Sequence, residues 1–255
     1  MSNNKTKLIS LSVVIIISAL VLGYTLFIFK GGFSINSGIN LLIALVIFLA
    51  LFAFQALLIQ RSFLVVGLCL LETLALLAPF YKSFSLIFAG AGVASFFLLW
   101  NASWSGNKDV INTLKIDFLK ISARINVRVS VAIVLIGVVS YVSALTFQDV
   151  TESVLSSTDV VVGQVANQFL PASLSGDLIG QAQKLISDQL NTVPDAIKRG
   201  IVVGFGVLLF FGIKGIMFIV NWLAALVALL IYKLLLAVKF IKLTTEEVSK
   251  ENISF

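Results

Sequence analysis

The chain has 255 residues, 59% of them hydrophobic and only 12% charged, with a net charge of +6. Soluble domains carry about 25% charged residues, so most of this chain is not a surface for water. It contains no histidine and one cysteine. This removes serine–histidine, cysteine–histidine and zinc–histidine chemistry. It also leaves no thiol set for an internal disulfide or a metal site.

The first apolar run spans roughly 8–29, behind Lys5 and Lys7. It is longer than the core of a signal peptide, and "KGGFS" is a poor cleavage site, so it reads as a retained anchor. "GGFSINSG" (31–38) has turn composition. A second run covers about 39–59, a third 62–80 and a fourth 83–100. The links are a few residues long, which predicts antiparallel neighbours and a four-helix N-terminal membrane unit over 1–101. Trp100, Trp104, Phe80 and Tyr81 stand at run ends, the interfacial level that Trp and Tyr favour. The runs are continuous rather than alternating, which predicts helices and not a barrel.

Residues 102–128 carry five basic and two acidic residues. Plotted as a helix, Ile111, Leu114, Phe118, Ile121 and Ile125 share one face, and Lys120, Arg124 and Arg128 form a row at steps of four. This predicts a basic amphipathic linker helix on the cytoplasmic surface, its apolar face in lipid and its row on anionic headgroups. Ile116, Leu119 and Val127 lie off the stripe, so other helices or a partner are alternative covers.

The C-terminal membrane unit, 129–255, opens with a fifth run over about 129–147. The polar segment 148–198 follows. Val150, Val154, Val161 and Val165 form one stripe, and Leu178, Ala182, Leu185, Ile186, Leu190 and Val193 a second. Two amphipathic helices joined at "LPASLSG" form the predicted external hairpin. The last apolar region, Gly200 to about Leu243, is too long for a simple crossing. A break at "GIKG" (212–215) gives two crossings and seven spans, the reading favoured by length. Lys233, Lys239 and Lys242 favour six spans and a cytoplasmic C-terminus.

The expected fold is therefore all-α: a polytopic transmembrane helical protein of six or seven spans with an external amphipathic hairpin. The bias of cytoplasmic loops toward Lys and Arg puts the N-terminus and linker inside and 148–198 outside a plasma (inner) membrane. The positive residues border apolar runs, so they point to headgroups of the lipid bilayer and not to nucleic acid.

Glu72 is the candidate proton or cation site, because a carboxyl at the centre of a membrane helix costs about 2.5–3.5 kcal/mol on insertion scales. A neutral, hydrogen-bonded Glu72 is the plainer reading. Lys214 is a turn residue in a hairpin, or a buried partner of Glu72 in one continuous helix. Gly200 and Gly204 form a small-xxx-small pair for helix packing, and Gly90 and Gly92 resemble them. No phosphate loop, nucleophile elbow or metal motif is present, so no catalytic, cofactor or metal residue is expected. The functional expectation is a non-catalytic scaffold, anchor or accessory subunit that contacts other membrane proteins or itself. The alternative is a small transporter or channel using Glu72.

Overall fold

The computed structural model describes residues 2–30, 34–59, 62–112, 117–151 and 193–238. Among these residues every regular element is helical. In order they are α1 (Ser2–Lys30), α2 (Ile35–Leu58), α3 (Ser62–Leu77), a 3-10 turn (Ala78–Ser83), α4 (Leu86–Asn112), α5 (Phe118–Val142) and α6 (Asp195–Ala237). Six helices are long and apolar enough to cross a membrane. Each of the five runs anticipated up to residue 147 has become one of them.

Local chemistry sets the ends. Ser34 caps α2: the Ser37 amide donates to the Ser34 hydroxyl at 3.1 Å and the Ser34 amide to the Ser37 hydroxyl at 3.0 Å. This reciprocal pair starts the helix inside the stretch read as a turn. Pro79 has no amide hydrogen, and α3 gives way at Leu77 to the 3-10 turn. Asp117 caps α5, its carboxylate accepting from the Lys120 amide at 3.2 Å.

That cap corrects the linker. Residues 102–112 complete α4, residues 118–128 are the first turns of α5, and the backbone at Asp117 is non-helical. An Asp satisfies the free amides of a helix start, so the chain ends one helix and begins another where one linker helix was expected. The side chain of Ile111, and Leu114 as a whole, lie outside the described residues.

The second correction concerns the C-terminal hairpin. Asp195–Ala237 is one helix of 43 residues, and Gly212, Ile213, Lys214 and Gly215 are all helical. A glycine costs a helix interior only about 1 kcal/mol relative to alanine. In lipid the backbone must satisfy its own hydrogen bonds, which carries the helix through two of them, and no proline stands near the break. The external hairpin falls mostly on residues 152–192, outside the described residues; residues 147–151 are helical.

The packing does not follow chain order. α3 has α1 and α4 as its main partners, while α2 packs on α1, α4, α5 and α6. One apolar cluster runs through all six helices, with Ile15, Phe52, Leu76, Leu99, Ile125 and Ala224 among its members. Glycines allow several close approaches. A Cβ on Gly23 would meet the Leu76 carbonyl oxygen at 2.5 Å, one on Gly106 would meet Ile125 Cδ1 at 2.7 Å, and one on Gly206 would meet Val142 Cγ2 at 3.0 Å.

Candidate functional site

The polar groups of the core gather on α2, α3, α4 and α5. Glu72 is completely buried in α3, and neither carboxyl oxygen has a hydrogen-bond partner of good geometry. The Gln55 side chain on α2 is within reach of the carboxyl but does not close a well-formed bond, and both of its amide atoms are also unsatisfied. Thr73 does not help, because its hydroxyl donates to the Cys69 carbonyl at 2.7 Å. Cys69 itself is buried and unpaired, as its apolar run implied.

Further buried polar side chains lie on α4 and α5, which pack on α2. Gly106 brings Ile125 and Ala56 together there. Gln55 precedes Ala56, Asn126 follows Ile125, and Ser103 lies one turn before Gly106. The Ser103 hydroxyl and both amide atoms of Asn126 are buried without partners. Asn107 donates to the Ile59 carbonyl at 3.1 Å but leaves its own amide oxygen unsatisfied. Native interiors leave few such groups unpaired.

Two side-chain bonds tie α5 to its neighbours. The Ser95 hydroxyl of α4 donates to the Ala132 carbonyl at 3.2 Å, and the Asn221 amide of α6 donates to the Ser130 hydroxyl at 3.1 Å. Ser122, Asn126 and Ser130 thus form a buried polar row at steps of four along α5. The sequence carries that row. It is masked by the adjacent basic row, which repeats at the same spacing of four.

The basic row lies on the outer side of α5. Lys120 and Arg124 are exposed and Arg128 is half-buried. Arg124 Nη1 reaches Asp109 Oδ2 of α4 at 2.7 Å. The apolar face opposite does not lie in lipid as expected, for Phe118, Ile121 and Ile125 are buried in the protein's own core. Phe118 stacks on Tyr232 of α6, with ring centroids 4.4 Å apart and planes at 12°, and meets Phe54 of α2 at 5.2 Å. This is the alternative in which the chain's own helices cover the stripe.

Lys214 lies on the continuous α6, yet it is exposed, and no ion pair joins it to Glu72 among the described residues. Gly200 and Gly204 face open space: a Cβ on either meets nothing within 4 Å. Close packing within the chain belongs to Gly23, Gly92, Gly106 and Gly206 instead. Gly92 also lies close to a neighbour, its added Cβ 2.6 Å from a Leu77 methyl, whereas Gly90 is open.

Among the described residues no group of three or more Cys, Asp or Glu side chains could hold a metal ion. Comparison with known protein families, with curated proteins and with solved structures finds no match.

Proposed function

We propose that the chain is a multi-pass plasma-membrane protein without catalysis of its own, acting as a scaffold, anchor or accessory subunit of a membrane assembly. One observation carries this reading. At 1.5 Å per residue, α6 is about 65 Å long, against a hydrocarbon core of about 30 Å. Even a tilt of about 40°, the top of the usual range, lengthens a crossing only to about 40 Å. Yet large apolar side chains stand uncovered along the whole helix, from Ile197 (55% exposed) and Val203 (62%) to Leu234 (63%) and Val238 (64%). Lipid covers part of that face. An apolar helix face beyond the lipid calls for protein, either another membrane protein or a second copy.

Purification in a mild detergent tests the idea. A defined complex, hetero- or homo-oligomeric, supports it, and Leu230→Gln with Leu234→Gln should dissociate that complex while the chain stays in the membrane fraction. A monodisperse monomer with nothing bound would overturn it.

The proposed topology has the N-terminus cytoplasmic, 148–198 external and six crossings, so the C-terminus returns to the cytoplasm. In a Cys69→Ala background, cysteines at Ser157 or Ser175 should label with an impermeant reagent from outside. Cysteines at Asn112 and Ser254 should not. The reverse pattern would invert the orientation.

A second reading rests on the unpaired carboxyl of Glu72 beside Gln55. A small transporter or channel would use it to take up a proton or a cation. Ion flux in liposomes that disappears in Glu72→Gln favours this reading; no flux in the parent protein removes it.

A further inference from the structure

A groove of about 790 Å³ opens where the C-terminal end of α5, the N-terminal end of α6 and the start of α4 come together. Its volume falls within the range of about 300–1,000 Å³ usual for small-molecule sites. The walls are apolar: Leu135 and Val138 on α5, Val203, Val207 and Phe211 on α6. The α6 wall is not covered by the chain, since Val203, Val207 and Phe211 are all exposed. Gly206 sets the depth, because a side chain there would run into Val142.

The mouth has a different chemistry. Asp195, Lys198 and Arg199 lie along it, one acid against two bases. The Asp195 carboxylate is turned to solvent, its side chain 92% exposed, and it holds Lys198 only loosely at 3.9 Å. The Lys198 ammonium instead leans over the Phe147 ring, 5.6 Å from its centroid, which places the charge directly at the edge of the apolar wall. Arg199 is exposed beside it.

We propose that this groove binds an anionic phospholipid, with an acyl chain along the α5–α6 wall and the headgroup phosphate at Lys198 and Arg199. An apolar trough with two cations at one end matches that amphiphile at both ends. A zwitterionic lipid brings its own ammonium to the same two cations and gains less. A soluble anion has nothing for the trough. The long stems of Lys and Arg lie along apolar surface while the charged ends reach the headgroup level.

The test uses the full chain in mixed micelles of equimolar phosphatidylglycerol and phosphatidylcholine, with the retained lipid identified by native mass spectrometry. The parent should retain phosphatidylglycerol selectively. Lys198→Gln with Arg199→Gln should cut that selectivity about thirtyfold, the order expected for two basic residues at an anionic surface. Val203→Trp fills the trough from an exposed position that folding tolerates, and should expel both lipids. Equal retention of both lipids by the parent would overturn the proposal, as would selectivity that survives the Lys198/Arg199 change. Displacement by free glycerol phosphate would make the site one for soluble anions and overturn it equally.

Discussion

The side-chain amide of Asn221 on α6 donates to the hydroxyl of Ser130 on α5 at 3.1 Å, and both residues are buried. The Ser130 hydroxyl in turn donates to the Val127 carbonyl at 2.9 Å. This contact links the longest helix to the rest of the bundle through a directional bond, where the surrounding contacts are alanines and aliphatic chains. Interhelical bonds of this type average about 0.6 kcal/mol, and at most about 1.7. A double-mutant cycle of Asn221→Ala and Ser130→Ala, read by unfolding in detergent, should return a coupling within that range. Strict additivity would show that the pair adds nothing beyond packing.

The glycines predict a sharp contrast. Gly23→Ala drives a methyl into the Leu76 backbone, and backbone cannot swing aside. Overpacking of this type costs about 1–3 kcal/mol, so a clear fall in melting temperature is expected. Gly200→Ala and Gly204→Ala meet nothing, and should hold or slightly raise stability, because alanine is the better helix former by about 1 kcal/mol. If either of these two destabilises the chain as Gly23→Ala does, a partner must pack on that face.

Much of this architecture was legible because hydropathy and length are properties of a continuous segment. The runs at 8–29, 39–59, 62–80, 83–100 and 129–147 each proved to hold a long apolar helix, the last ending at Val142. What was not legible depended on competition or on distant partners. Gly212 and Gly215 look like a break, but the apolar helix on either side carries the backbone through them. Asp117 carries an ordinary N-cap signal, obscured by the longer pattern that runs across it. The preference of α3 for α1 and α4 cannot be read from short links, since links fix direction and not partners. Glu72 was visible as an acid in an apolar run, yet its juxtaposition with Gln55 arises only when α2 and α3 fold together.

That juxtaposition predicts a trade between stability and function. Unsatisfied polar groups in an apolar interior are costly, and replacing both by apolar groups of similar shape is neutral or stabilising. The pair Glu72→Met with Gln55→Met should therefore match or exceed the parent in thermal unfolding. Any ion flux or ligand uptake that uses the carboxyl should vanish in the same variant. A melting temperature well below the parent's would mean that the two side chains are paired in the folded protein, and the site would be structural.

The basic row of α5 makes a separate claim. Arg124 is engaged by Asp109 at 2.7 Å across a partly exposed contact, a type of pair worth about 0–1 kcal/mol. For Lys120 and Arg128 no ion pair is seen among the described residues. In nanodiscs, stability should rise when anionic lipid replaces neutral lipid. Lys120→Gln with Arg128→Gln should remove about 2 kcal/mol of that gain at low salt, and Arg124→Gln less. An equal loss in neutral nanodiscs would mean that the row contacts protein.

The last prediction concerns pH. Thr146 and Asp149 bracket the start of the helical residues 147–151. The Thr146 hydroxyl and the Thr146 amide both donate to Asp149 Oδ2 at 2.7 Å, and the Asp149 amide donates back to the Thr146 hydroxyl at 3.2 Å. "TFQD" is thus a capping box. These bonds favour the charged carboxylate, the hydroxyl contributing most and the amide next, and they hold Asp149 below the ordinary carboxylate range. The sign follows from linkage. A group whose value falls on folding stabilises the folded form at pH above its unfolded value, and that help is lost as pH drops through the folded value. The helix start should therefore persist at neutral pH and fray in acid. NMR titration of labelled aspartates should find Asp149 depressed, and Thr146→Ala should raise it part of the way, since the amide bond remains. An Asp149 that titrates at or above the ordinary value, with Thr146→Ala causing no change, would show that the box does not form in solution.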